Sequence, residues 1–119
     1  MTAQEVISQV NGLRPNPYSD DDKLRWLSNL DALIWQEVIS WHEGAPVKPE
    51  AYTSLDTTLL VSEPYSDIYI KHLLLQIDYY NAEYARYNND MVMYNMALEN
   101  FSGFYNRTNI PKKTAIRLP

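Results

Sequence analysis

The stretch that decides the fold is IKHLLLQIDYYNAEYARYNNDMVMYNMALENFSGFY, residues 70–105 of this 119-residue chain. At alternating steps of three and four it carries an apolar or aromatic residue every time: Ile70, Leu73, Ile77, Tyr80, Tyr84, Tyr87, Met91, Tyr94, Leu98, Phe101 and Tyr105. A seven-residue repeat sustained over about five heptads marks one face of a long helix that needs a packing partner. Such a helix would be roughly 54 Å long, about twice the width of a domain of this size. It must therefore bend, break or be covered by other copies of the chain.

The whole sequence predicts an all-α protein. We expect a small helical bundle in which a long helix, about residues 66–106, packs on a helix over residues 19–42 and on a short N-terminal helix over residues 2–11. The weakest point of the long helix is Asn88-Asn89-Asp90, three poor helix formers in succession, where we expect any kink or break to fall.

Capping signals support these boundaries. Thr2 and Glu5 have the spacing of a capping box. Ser19 precedes three aspartates, which suit the positive end of a helix dipole better than they suit a calcium loop, because the alternating ligands and the glycine of such a loop are missing. Gly12 and Gly44 are the expected stop signals of the first two helices, and Ser66 is the expected cap of the long one.

Residues 1–106 read as a single helical domain with an irregular connector at residues 44–64. Three prolines in or at the end of that connector exclude a long helix there. We expect one short helical turn near residues 49–55. Residues 107–119 read as a basic, extended C-terminal tail.

Charge is unevenly distributed along the chain. The net charge is −5, but residues 1–106 carry six basic and fifteen acidic side chains, whereas the tail carries four basic side chains and no acid. An acidic body argues against wrapping nucleic acid, which needs clustered Lys and Arg. The tail is either a docking arm or a solvated terminus, and its candidate docking residues are Arg107, Lys112, Lys113 and Arg117.

Tyrosine is unusually frequent. Eight of the ten tyrosines lie between Tyr65 and Tyr105. Tyrosine combines a large contact face with a hydroxyl that can stay wet, which suits interfaces, although a half-exposed helix face would use it equally well. The candidate interface or packing residues are Tyr80, Tyr84, Tyr87, Met91, Tyr94 and Leu98.

No pattern of catalytic or metal-binding residues is evident. The chain has no Cys, only three Gly, and two histidines, His42 and His72, without the spacing of a zinc helix. We expect both histidines to be structural or surface residues. We also expect no catalytic residue, cofactor or metal. No apolar run approaches the 18 residues of a membrane span, and the first residues lack a signal-peptide pattern, so we expect no membrane partner and synthesis in the cytoplasm.

Three segments resemble a known family. Residues 59–70 (LLVSEPYSDIYI), residues 76–89 (QIDYYNAEYARYNN) and residues 104–107 (FYNR) are similar to small proteins encoded in the head-morphogenesis regions of tailed phages and prophages of Gram-positive bacteria, the head–tail connector (adaptor, or head-completion) family. The likeness covers about residues 59–107. It implies a helical bundle that assembles into a ring, typically of twelve copies, beneath the portal protein of the virion.

On that resemblance the expected partners are other copies of the chain, the portal protein and a tail or head-completion protein, with DNA only as passing cargo. An acidic body suits a channel wall, because like charge keeps DNA from adhering. Two alternatives stay open. One is a helical adaptor or regulator that binds a single partner through the Tyr-rich face, and the other is an enzyme whose acids converge from distant segments.

Overall fold

The computed structural model describes residues 1–112, and within that range the chain is an all-α bundle, as predicted. Its helices are α1 (Ala3–Leu13), α2 (Asp20–Glu37), α3 (Asp67–Tyr80) and α4 (Tyr84–Thr108), and a short 3-10 turn, Ile39–Trp41, follows α2. The bundle measures 49 × 31 × 24 Å along its principal axes. Its core is formed by the apolar sides of the helices and by two connector residues, Leu59 and Val61.

The first two helices begin where their caps predict. Thr2 Oγ1 accepts a hydrogen bond from the Glu5 amide at 3.2 Å, and Glu5 Oε1 accepts one from the Thr2 amide at 3.1 Å, which is a complete capping box. Ser19 Oγ accepts from the Asp22 amide at 3.1 Å.

Two of the predicted ends were misplaced. Gly12 does not stop α1, which continues to Leu13. The predicted helix over residues 19–42 is α2 followed by the 3-10 turn, and Gly44, at φ 72°, lies in the turn beyond it.

The single long helix over residues 66–106 is wrong, because the chain breaks at Asn81-Ala82-Glu83. The Ala82 amide donates to the Tyr79 carbonyl at 3.2 Å and the Glu83 amide donates to the Asp78 carbonyl at 2.9 Å. This is the Schellman pattern that ends many helices, with Ala82 at φ 56° in the position that glycine usually takes. The predicted weak point, Asn88-Asn89-Asp90, lies inside α4.

α3 and α4 form an antiparallel hairpin. Aromatic contacts fix the pairing: Tyr79 with Tyr87 at 5.6 Å between ring centroids, His72 with Tyr94 at 5.5 Å, and Tyr65 with Phe101 at 6.2 Å. The heptad stripe therefore folds back on its own first half. This folding buries four residues of the stripe within one chain: Leu73, Ile77, Tyr94 and Phe101. This part of the stripe therefore needs no second copy to cover it.

The connector is irregular, and the helical turn predicted near residues 49–55 is absent. The connector instead completes the start of α1. The Ala3 and Gln4 amides donate to the Thr57 and Leu55 carbonyls, both at 2.9 Å, and so satisfy donors that the first turn of a helix leaves without partners. Ser66, expected to cap the long helix, is buried and makes no capping bond.

Candidate protein-interaction surfaces

An aromatic cluster lies where α2 begins and α3 ends. The Trp26 indole stacks on the Tyr80 ring with centroids 5.5 Å apart and planes 9° apart, and Tyr18 meets the Trp26 ring edge-on at 5.7 Å. The Tyr18 hydroxyl donates to Asn81 Oδ1 at 2.7 Å, which anchors the cluster to the α3–α4 turn. Trp26 is buried, but 56% of Tyr80 is exposed. The cluster is therefore packed against the bundle through Trp26, while the outer side of the Tyr80 ring stays accessible to a partner.

A groove of about 290 Å³ runs from this cluster between α2 and α3. Its walls are two rows of side chains, each from one face of a helix: Arg25, Asn29 and Leu33 from α2, and His72, Gln76 and Tyr80 from α3. Trp26 and Leu30 also line it. We call this the α2–α3 groove. Its lining mixes apolar, aromatic, amide and cationic groups, and Arg, Trp and Tyr are frequent in protein–protein contacts.

His72 lies in the groove wall in a poorly solvated position. Burial lowers the pKa of His72 to about 4, so its imidazole is neutral at pH 7. Its Nδ1 atom is buried without a hydrogen-bond partner among residues 1–112.

The side of α4 that faces away from α3 carries three exposed apolar side chains, Val92, Met93 and Met96. We call them the α4 ridge. Exposed polar residues flank the ridge on the same helix: Asn88 and Asn89 before it, and Glu99 and Asn100 after it. A polar rim around an apolar centre is typical of a protein–protein contact.

A buried carboxylate holds the connector against the bundle. Asp31 on α2 accepts hydrogen bonds from the Tyr69 hydroxyl at 2.6 Å, the Tyr52 hydroxyl at 2.5 Å and the Leu60 amide at 3.1 Å. The Tyr69 hydroxyl in turn accepts from the Val61 amide at 2.7 Å. Burial raises the pKa of Asp31, and the hydrogen bonds oppose that rise. The network joins α2, α3 and the connector, so it is structural.

A partly buried charge cluster joins the end of α1 to α3 and α4. Arg14, just past α1, donates from Nη1 to Asp78 and, at 3.2 Å, to Asp90 Oδ2. Burial, and then the neighbouring Asp90 carboxyl, raise the pKa of Asp78 to about 6, although Arg14 and Arg86 act to lower it. Asp90 is thus a buried partner of Arg14, and α4 runs through residues 88–90 without a break.

The predicted interface residues occupy three different environments. Tyr94 is buried against α3, while Tyr87, Met91 and Leu98 are half-buried along the hairpin seam. Tyr80 and Tyr84 are exposed at the hairpin turn, Tyr84 by 66%. Most residues of the heptad series thus pack inside the bundle. The exposed apolar residues of α4 belong instead to the α4 ridge, which lies outside that series.

The predicted docking tail begins later in the chain than expected, because α4 continues to Thr108. Arg107 belongs to α4, and the chain then pairs with the residues after α2: the Glu43 amide donates to the Ile110 carbonyl at 2.7 Å and the Lys112 amide donates to the Trp41 carbonyl at 3.0 Å. Lys113 and Arg117 lie outside the described residues.

His42 is buried, as a structural role predicts. Its Nδ1 lies 2.8 Å from the Val38 carbonyl oxygen, and its ring meets Tyr105 edge-on at 4.8 Å. Within residues 1–112, no three His, Asp or Glu side chains converge as metal ligands would.

Sequence reasoning missed Asp31, Asp78 and the groove. Asp31 did carry a signal, because it lies four residues after Leu27 on the apolar side of α2, where a charge needs buried partners. No sequence signal indicated the groove. Its two rows of side chains come from α2 and α3, and neither helix alone predicts how the two pack together.

No protein-family model, curated protein or solved structure matches this chain. Among residues 1–112, no helix combines the length and the hydropathy that crossing a membrane requires.

Proposed function

We propose that this chain is a non-catalytic structural protein that assembles with other copies of itself, acting as a head–tail connector of a tailed phage virion. The observation that carries the proposal is the α4 ridge. Val92, Met93 and Met96 project from a helix whose opposite side is already packed on α3, and Val92 is 56% exposed. Covering such side chains contributes about 1–2 kcal/mol each.

The chemistry of the ridge suits assembly. Methionine is unbranched and fits irregular partner surfaces, and asparagines on either side of the ridge supply hydrogen bonds at its rim. The buried acidic side chains are engaged within the bundle: Asp31 accepts hydrogen bonds from two tyrosines, and Asp78 and Asp90 pair with Arg14.

The finer identity rests on the resemblance over residues 59–107. A connector ring would bind the portal protein on one side and a tail or head-completion protein on the other, and DNA would pass through its channel. The excess of acidic side chains in residues 1–106 supports a wall from which DNA is repelled.

The test is the solution mass, measured by light scattering on the chain alone and then with the cognate portal protein. We expect a mass near twelve subunits, alone or once the portal is added. Val92→Glu should abolish that assembly, because the new charge would be buried without a partner. Val47→Glu is the matched control, since Val47 is 91% exposed in the connector and should tolerate the same change.

The alternative is an adaptor that binds one partner through the Tyr-rich face. The exposed rings of Tyr79, Tyr80 and Tyr84 at the hairpin turn favour it. A chain that stays a monomer or a dimer and ignores the portal would point to the adaptor, and loss of partner binding in Tyr84→Ala with Val92→Glu unaffected would identify the face used.

A further inference from the structure

We infer that the α2–α3 groove of one copy receives the α4 ridge of another copy, with Glu99 of the ridge helix placed against Arg25 of the groove. This inference rests on the proposed self-assembly and names the two surfaces that would carry it.

The first argument is shape. The groove walls are rows at positions i, i+4 and i+8 on α2 (Arg25, Asn29, Leu33) and on α3 (residues 72, 76 and 80). Each row spans about 12 Å along its helix. A groove between such rows is the surface into which a ridge of another helix packs. On α4, Val92, Met96 and Glu99 fall on one side at positions i, i+4 and i+7, and span about 10.5 Å.

The second argument is charge. Arg25 lies at one end of the α2 row, and its ion pair with Asp22, at 3.2 Å, is exposed and within the same helix, so it is weak and easily exchanged. Glu99 is exposed at one end of the ridge and forms no ion pair within residues 1–112. One surface thus ends in an accessible cation and the other in an accessible anion.

The two arguments together give the orientation. If Glu99 meets Arg25, then Val92, at the other end of the ridge, meets Leu33, at the other end of the α2 row. Leu33 is 46% exposed and is the apolar end of that row. The docked α4 therefore runs antiparallel to α2 of its neighbour. His72 in the groove wall is neutral at pH 7, so docking an apolar side chain near it buries no charge.

The contact is heterologous, because the groove and the ridge are different surfaces of each copy. Every copy can then give its ridge to one neighbour and its groove to another. Contacts of this type produce closed rings when the rotation between copies closes, and open chains when it does not.

The test is a charge exchange on the full chain. Arg25→Glu and Glu99→Arg should each weaken self-association about tenfold or more in light scattering over a concentration series, because like charges would face each other. The double variant should restore the wild-type mass, and so should an equal mixture of the two single variants. Lys48→Glu and Glu50→Arg reverse the same charges at exposed connector positions and should leave the mass unchanged. Circular dichroism and urea unfolding confirm that each variant is folded.

Three other outcomes would refute the pairing of groove and ridge, and they differ in what they imply for self-assembly. If the wild type assembles but the single variants assemble equally well, or if the double variant is folded and fails to recover, this pairing is refuted while the proposed self-assembly stands. If both single variants lose binding to the portal and the double variant does not regain it, the two surfaces bind a different protein, and the pairing is again refuted. If the wild type assembles neither alone nor with the portal, the proposed function fails as well.

Discussion

Replacing Tyr69 by Phe tests the buried network that holds the connector on the bundle. The Tyr69 hydroxyl is fully buried, donates to Asp31 Oδ1 and accepts from the Val61 amide. Tyr69→Phe keeps the ring and its packing but leaves a carboxylate oxygen and a backbone amide without partners in a dry site. A hydrogen bond to a charged group contributes about 1.5–3 kcal/mol, and an orphaned amide costs about 1–3 kcal/mol. We therefore expect the free energy of unfolding to fall by about 3–5 kcal/mol.

Tyr52→Phe is the matched control, because it also removes a tyrosine hydroxyl that donates a hydrogen bond to Asp31. Tyr52 is half-exposed, and Asp31 Oδ2 keeps the Leu60 amide at 3.1 Å, so water can replace the lost donor. We expect a loss of only about 0.5–1.5 kcal/mol. Urea unfolding followed by far-UV circular dichroism at pH 7 measures both. A Tyr69→Phe loss no larger than that of Tyr52→Phe would refute the role assigned to the buried hydroxyl.

Three further predictions concern the α3–α4 hairpin. Because the pKa of Asp78 is raised to about 6 in the folded chain, against about 3.9 when unfolded, the folded state binds that proton more tightly and the free energy of unfolding should fall as pH rises from about 4 through 6. Asp78→Asn should show a smaller fall than the wild type between urea titrations at pH 4 and pH 7, and an equal fall would contradict the assignment. Ala82→Gly should stabilise by up to about 1 kcal/mol, because glycine removes the strain of φ 56°, whereas in a continuous helix it would cost about 1 kcal/mol. Asn89→Ala, inside α4, should stabilise by less than about 0.7 kcal/mol, and destabilisation would indicate a turn there.

Local signals predicted the starts of α1 and α2. The capping box of Thr2 and Glu5 and the cap of Ser19 need only residues within one turn, so sequence spacing decides them. The all-α class follows from periodicity for the same reason. Ser66 shows the limit of such signals, because its backbone is itself helical, at φ −66° and ψ −11°, and its buried side chain makes no capping hydrogen bond.

The candidate site was predicted only in part. Which side of α4 stays exposed depends on where α3 packs, and no pattern within α4 alone decides it. The periodicity indicated the series through Tyr87, Met91 and Tyr94 as interface or packing residues without deciding between the two. In the structure that series faces α3, and Val92, Met93 and Met96 face outward.

The sequence by itself determined the helical class, two of the helix starts, the acidic body and the need to cover a 36-residue apolar stripe. Only the tertiary structure decided how that stripe is covered. A turn at Asn81-Ala82-Glu83, without glycine or proline, lets α4 fold back on α3, because the apolar area buried by the hairpin outweighs the strain of one alanine at positive φ. Packing between distant helices also places Asp31, Asp78 and Asp90 beside their partners and opens the groove between α2 and α3. These features depend on residues distant in the chain, which no local pattern connects.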